Sequence, residues 1–540
     1  MVEAILHITT ICGVVSMLGK VTCIQGKITI SLYFYEENPK IMRTNRLSAL
    51  VTILLWSVFS MQAQQASSPY VREITDIATR VQKLWQVPAM AVTVVKDGET
   101  VYARGLGVLK AEKDAPRADA YTLFVNASTS KAFTAALLGI VVDQGHVKWT
   151  DRVVDHLPDF QLYDPWVTDN YLVQDIMNHK SGFQPQAMDV IPALGYGRDD
   201  LYRMFRLVKP SYSFRTTYAY CNALYTIAAR IVEKYTGMTW EEALQEFIFK
   251  PLEMNHSTTG KDHYFTADNF AWGYRLSKTG QGLKLTPRDD REDAYSWLQA
   301  VSPAAFVMSN ANDMGQWMKM WLAGGVYNGT QILSKETVDY LFSPQTICSW
   351  DKERVVLYAQ GWRVEQGVQG KLINHTGLAG GYTAWVVLVP ELNLGVSVLM
   401  NQGSTTSPQT AMIRQIIDMF RGVKSDWISK IHEEYMRPSA GSRPKVPEEY
   451  IQPFENKVYT GTYFKNEFGR AAVYEENGSM RLTINDIDAL LEHRTGHTYR
   501  FRARDEAFDI TFQVNGVTGR AESFSIDFGD DLGPFVRDFQ

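Results

Sequence analysis

Three short clusters in the chain carry residue types that could do chemistry together. Ser128-Thr129-Ser130-Lys131 places a hydroxyl and an amine three residues apart. On a helix that spacing puts both side chains on one face, one turn apart. A helix N-terminus adds N–H groups and positive potential where an oxyanion would form. A lysine whose pKa is held down by burial and nearby positive charge can take the hydroxyl proton. The spacing recurs at Ser349 and Lys352, and again at Ser442 and Lys445, around Pro444. Only the first pair precedes an apolar helical run, Phe133, Ala136, Leu137, Ile140 and Val141, ended by Gly145. Alone it fits an ordinary capped helix start equally well.

The second cluster is Tyr220-Cys221-Asn222. A phenol can shuttle a proton between nucleophile and leaving group, and an amide can orient a substrate carbonyl. The plainer alternative is a buried tyrosine followed by an asparagine cap for a helix from Ala223. The third is His375-Thr376-Gly377, followed by Leu378-Ala379-Gly380-Gly381 and an apolar strand. Glycine-rich backbone beside an edge lets a substrate lie close and contributes N–H donors; the plainer alternative is a turn between strands. Lys278-Thr279-Gly280 offers similar residues, but its polar surroundings read as a hairpin tip, so His375 is the preferred site.

These clusters need a scaffold, and the pattern predicts an α+β one. Residues 89–95 and 100–107 form a hairpin across Asp97-Gly98, and 383–389 pairs with 395–400. Between the two hairpins lie mainly helical stretches, such as 132–143 and 223–235. The expected fold is therefore an antiparallel sheet built from both ends of a segment, flanked by helices and carrying a helical subdomain. Residues 424–452 read as a linker, a short polar helix followed by a proline-rich stretch, and 453–540 as a small all-β barrel with turns at Asn477-Gly478 and Asn515-Gly516.

The N-terminal region reads differently. Arg43 and Arg46 precede a nearly unbroken apolar run from Leu47 to Met61, so residues 42–63 are expected to be a secretory signal peptide. Signals begin at a true N-terminus, so Met42 is read as the start and residues 1–41 as an upstream extension. The main α+β domain then spans 64–423, and the protein is expected to be periplasmic or secreted, without a stable membrane anchor after cleavage. Only Cys221 and Cys348 follow the signal, which excludes a disulfide framework. The net charge of −5 comes without a basic stripe, which argues against nucleic acid as a partner. Ten scattered histidines show no H-E-x-x-H spacing, so neither a metal nor another cofactor is expected.

Taken together, the three clusters resemble the Ser-x-x-Lys, Tyr-x-Asn and Lys/His-x-Gly signature of the class C β-lactamase-like serine hydrolases. That family includes penicillin-binding peptidases, D-aminopeptidases, esterases and transacylases. Residues 87–107 resemble its opening hairpin, IMNHKSGF at 176–183 its Leu-x-His-x-Ser-Gly loop, PLEM at 251–254 its Pro-Leu-Gly-Met, and 302–317 its segment before the third motif. The match covers about residues 71–421, and the terminal domain is similar to an appended lipocalin-like module. The resemblance implies Ser128 as acylated nucleophile, Lys131 as base and Tyr220 as proton carrier. Asn222, His375, Thr376, Gly377 and Leu378 would bind substrate, with the N–H groups of Ser128 and Leu378 as oxyanion hole. Histidine at 375 in place of lysine would make the charge met by a substrate carboxylate pH-dependent. Cys221 stands where serine is usual. The implied function is exported hydrolysis of an ester or small amide, including D-peptides. Transfer of the acyl group to a bulky hydrophobic alcohol and penicillin binding without turnover are the alternatives. The partner is a small-molecule acyl donor.

Overall fold

The computed structural model describes residues 69–437 and 450–538, and the backbone of three strands near the N-terminus. The chain divides into two units, before and after residue 68. The first holds Val2–Thr10, Gly13–Ile24 and Lys27–Phe34 in an antiparallel sheet with Gly13–Ile24 at its centre. The signal expected over 42–63 lies outside the described residues. Among the described residues no helix is long and apolar enough to cross a membrane.

The second unit opens with helix α1 (Pro69–Trp85), strand β1 (Ala89–Lys96) and strand β2 (Glu99–Gly107). A largely helical stretch follows, including α2 (Lys131–Asp143), α3 (Tyr225–Thr236) and α4 (Ala311–Leu322). The chain then returns to the sheet as β3 (Thr346–Trp350), β4 (Val355–Tyr358), β5 (Arg363–Gly367), β6 (Gly370–Ala379), β7 (Tyr382–Val389) and β8 (Leu394–Met400). The sheet order is β3-β4-β5-β6-β7-β8-β1-β2, antiparallel throughout, so the last strand of the returning segment zips onto the first of the opening hairpin. This is the α+β arrangement that the hairpins predict.

Strand composition explains why helices cover both faces. β7 and β8 are buried along their whole length, and β1 all but its last residue, so each strand must satisfy two cores. Alternation sorts the side chains. Met90, Val92, Val94, Val396 and Val398 face the core under α1 and α5 (Ser407–Arg421), while Ala91, Val95 and Leu399 face the core shared with α2 and α4. At Gly395 an added Cβ would meet the Met318 side chain at 3.0 Å, so its lack of a side chain lets α4 lie close on the sheet.

The linker expected over 424–452 needs correction at its start. Helix α6 (Trp427–Met436) packs back on the domain: Ile428 is buried, and His432 meets Trp85 edge-on at 4.9 Å. Its apolar face belongs to the core under α1, so any linker begins after it, and 438–449 lie outside the described residues. Beyond it come nine short strands: β9 (Gly461–Lys465), β10 (Gly469–Glu476), β11 (Ser479–Ile484), β12 (Ile487–Leu490), β13 (Glu492–Thr495), β14 (Thr498–Ala503), β15 (Glu506–Asn515), β16 (Arg520–Ile526) and β17 (Phe535–Arg537). Their order is β12-β11-β10-β9-β17-β16-β15-β14-β13, curling until β12 comes close to β14, a nearly closed barrel. Alternate residues such as Phe508, Ile510 and Phe512 point inward onto an aromatic core.

Candidate active site

Ser128 sits in a single 3-10 turn, Ala127–Ser130, that runs straight into α2. Ala127 just before it has φ of 46°, a left-handed conformation that a non-glycine residue holds only when its surroundings impose it. The surroundings are well defined. Asn126 N donates to Val307 O at 2.8 Å, and Val307 N donates to Ser130 Oγ at 2.9 Å. Behind the turn, α2 is buried from Lys131 to Val141, as a helix apolar on all sides must be. Phe133 stacks on Trp317 at 3.9 Å, fixing its depth.

Lys131 is the one charged residue in that buried run, and it is fully buried. Its Nζ donates to Asn222 Oδ1 at 2.6 Å, Ala304 O at 3.1 Å and Ser128 Oγ at 3.3 Å. The ammonium also lies 4.7 Å from the Tyr220 ring centre and 5.1 Å from that of Tyr225. Burial is the main force on its protonation, with the Arg363 charge adding to it and Asp189 opposing. The amine is brought down to about 7. Three acceptors around three N–H bonds hold the nitrogen in place, and near neutrality its charge is easily given up.

Tyr220 hydrogen-bonds Ser128, and burial raises its phenol well above the usual value, so it stays a neutral donor and acceptor. Asn222 does not cap the following helix, whose N-cap is Leu224. Its amide instead bridges inward, with Nδ2 donating to Asp189 Oδ2 at 2.6 Å. Asp189 is a member of the site that the sequence patterns do not mark. Desolvation pushes its carboxyl up to about 7, against the lowering effects of Asn222 and Lys131. Its Oδ1 is buried without a hydrogen-bond partner.

The third cluster lies on β6, beside Ser128. Gly377 is required by proximity: an added Cβ would lie 2.4 Å from Asn126 O and 3.0 Å from Ser128 N. Leu378, next along the strand, is exposed. Thr376 Oγ1 accepts from Arg363 Nη1 at 3.0 Å. His375 departs from expectation. It is buried, its Nδ1 is 2.7 Å from Thr376 O and its Nε2 is 2.8 Å from the Tyr358 hydroxyl. The carbonyl can only accept, so Nδ1 carries the proton and Nε2 accepts from Tyr358. Desolvation, with Arg363 and Lys131 nearby, drives its pKa well below the ordinary value. The expected pH-dependent charge at 375 is therefore corrected to a neutral ring with both nitrogens engaged. The fixed cation here is Arg363, also hydrogen-bonded to Tyr218.

The structure thus brings Ser128, Lys131, Tyr220, Asn222 and the 375–378 strand into one site, and adds Asp189, Arg363 and Tyr358. The rival Lys278-Thr279-Gly280 lies at an exposed hairpin end, where Lys278 Nζ donates to Tyr435 O. Ser349 and Lys352 are both exposed at the surface. Among the described residues no group of three His, Cys, Asp or Glu side chains could hold a metal ion.

Comparison with known proteins gives two family matches. Residues 77–418 match the model described as Beta-lactamase, and 449–538 match a model described as a domain of unknown function, DUF3471. An unguisins hydrolase of Aspergillus campestris is 26% identical over 75% of this chain and 77% of its own. Penicillin-binding protein 4 of Amycolatopsis lactamdurans is 28% identical over 66% of this chain and 90% of its own. A beta-lactamase of Escherichia coli K12 is 25% identical, over 69% and 98%. Among solved structures, the octameric penicillin-binding protein homologue from Pyrococcus abyssi superposes with a TM-score of 0.55 at 18% identity, covering 86% of this chain and 99% of that one, a likeness of fold.

Proposed function

Since the chain belongs to the Beta-lactamase family and is an enzyme of the serine-hydrolase type, we propose that it works through an acyl-enzyme on Ser128, formed from an ester or a small amide. One observation carries this reading: the buried Lys131 amine, brought down to about 7, lies 3.3 Å from the Ser128 hydroxyl. Lys131 takes the hydroxyl proton as the Ser128 oxygen bonds to the substrate carbonyl carbon. The resulting oxyanion is met by the N–H groups of Ser128 and Leu378. The carbonyl-to-leaving-group bond then breaks, and the leaving oxygen or nitrogen receives the proton through the Lys131–Tyr220 pair. Water repeats the sequence in reverse roles and releases the acid. Asn222 holds the amine in line and Asp189 holds Asn222.

Arg363 beside Thr376 supports donors with a carboxylate, such as short D-peptides or penicillins, because its charge persists at any working pH. Export through the 42–63 segment agrees with the arginines and apolar run there. Intact mass spectrometry tests the reading: mature protein mixed with a p-nitrophenyl ester, or with a penicillin, should gain a transient adduct that Ser128→Ala lacks. Repeating the runs with an alcohol separates hydrolysis from acyl transfer by the product formed. If no donor leaves an adduct, the acyl-enzyme reading is wrong.

A further inference from the structure

The loop from His179 to Asp189 grips the chain on both sides of Tyr220. His179 O accepts from Ala219 N at 2.9 Å, and its ring Nδ1 accepts from Cys221 N at 3.2 Å. Further along the loop, Gln186 N donates to Tyr220 O at 2.6 Å. The peptide joining Tyr220 to Cys221 is thus held at its oxygen and at its N–H. The far end of the loop is anchored in turn by the C-terminal barrel, where Asp530 Oδ2 accepts from Met188 N at 2.8 Å and Gly529 O accepts from Gln184 Nε2.

His179 itself has φ of 60°, a left-handed conformation that residues other than glycine seldom hold without a constraint. From it, carbonyl and ring both meet the 219–221 segment. The ring is completely buried, wedged between Tyr220 at 4.3 Å and Tyr358 at 4.5 Å between ring centres. A backbone N–H can only donate, so Nδ1 is bare and the proton sits on Nε2. That Nε2 is buried without a hydrogen-bond partner among the described residues. A residue that only filled space here would be apolar, because a buried N–H without a partner is unfavourable. The ring's one hydrogen bond is the one to the Cys221 backbone. Desolvation, with Lys131, His375 and Arg363 adding to it, holds the imidazole pKa well below the ordinary value, so Nδ1 stays an acceptor.

We propose that His179 is a positioning residue for the reaction, setting the backbone on both sides of Tyr220 and thereby the reach of the phenol to Ser128 and the leaving group. The inference rests on the acyl-enzyme reading and deepens it by assigning the support of the proton carrier. His179 gains and loses no proton itself. As the bond to the leaving oxygen breaks, that oxygen takes its proton from the Tyr220 phenol, which is refilled from Lys131. A phenol displaced by about 1 Å would cost this step about a hundredfold.

The test compares phenyl butyrate with p-nitrophenyl butyrate on full-length protein. Phenoxide is a strong base that needs the proton, whereas p-nitrophenoxide leaves readily without it. The ratio of kcat/KM for the two esters within one preparation does not depend on how much of the protein is folded. His179→Asn puts an oxygen in the place of Nδ1 and suits a left-handed backbone. His179→Leu has the same shape without the acceptor, and His179→Phe keeps a flat ring without it. Asparagine should keep the wild-type phenyl to p-nitrophenyl ratio within about threefold, while leucine and phenylalanine should lower it at least about tenfold. A leucine or phenylalanine variant with the wild-type ratio, or an asparagine variant that falls as far as they do, overturns the role of His179 and leaves the Ser128 chemistry standing. A wild type that cleaves neither ester overturns both.

Discussion

Replacing Lys131 by arginine separates two roles that a buried cation could play. If Lys131 acts as a fixed positive charge, arginine keeps the charge and much of the activity survives. If it acts as a base, only the free amine counts. With the amine at about 7, half of the molecules hold a free base at pH 7, whereas at the ordinary value of 10.5 about three in ten thousand would. Burial therefore raises the working population about 1,500-fold, equivalent to about 4 kcal/mol. A guanidinium stays protonated above pH 12, so less than about one molecule in 10⁵ would carry a free base at pH 7. Acylation by Lys131→Arg should fall by at least about 10⁴, as in other nucleophile–base units. The assay is the stopped-flow burst with p-nitrophenyl acetate between pH 5 and 9. The wild-type rate should climb about tenfold per pH unit at low pH, bend near 7 and level off. A variant within tenfold of wild type, or a wild-type rate still climbing at pH 9, would refute the base assignment.

Two further outcomes follow from the packing. Gly377→Ala would place its Cβ 2.4 Å from Asn126 O and 3.0 Å from Ser128 N, backbone atoms that cannot swing aside, so the nucleophile must shift and acylation should drop about a hundredfold in the same burst assay. The second concerns stability, read by urea unfolding of Lys131→Met against wild type across pH. The native amine binds fewer protons than the unfolded one between about 7 and 10.5, so wild-type stability relative to the variant should rise with pH across that window and stay level below it.

How far the sequence foretold the site depends on whether a residue belonged to a local pattern. Ser128 and Lys131 share a turn of helix, and the buried run behind them was written in the apolar pattern itself. Gly377 and Leu378 stood out because glycine and an apolar strand sit together. Asp189 had no such company: it ends a loop, and only the fold brings it to Asn222, thirty-three residues away in the chain. Arg363 was hidden for a similar reason, since one basic residue in a short strand is normally a solvated face. At His375 the expected electrostatics differ from those of the folded chain, because depth below the surface and the reach of Tyr358 are tertiary facts. Helix α6 was expected as a polar helix within the linker, because Ile428 and Trp427 find their packing partners on α1 and α5, out of reach of a local pattern.

The docking of the barrel has a consequence for how such a protein could diversify. The reacting groups all come from one stretch of chain, between residues 128 and 378, while Asp505 and Glu506, which line the cleft beside the end of β6, come from a hairpin tip some 130 residues later. The reacting groups and part of the cleft beside them are thereby encoded in separable segments. Variation in the β14–β15 turn changes the rim of that cleft without touching the acid–base apparatus, whereas exchange of the whole terminal segment also replaces the Asp530 contact to Met188. The same contact makes the Met188–Asp189 loop hostage to the barrel, so a trimmed hydrolase is a different catalyst from the whole chain, with its amide relay unsupported on one side.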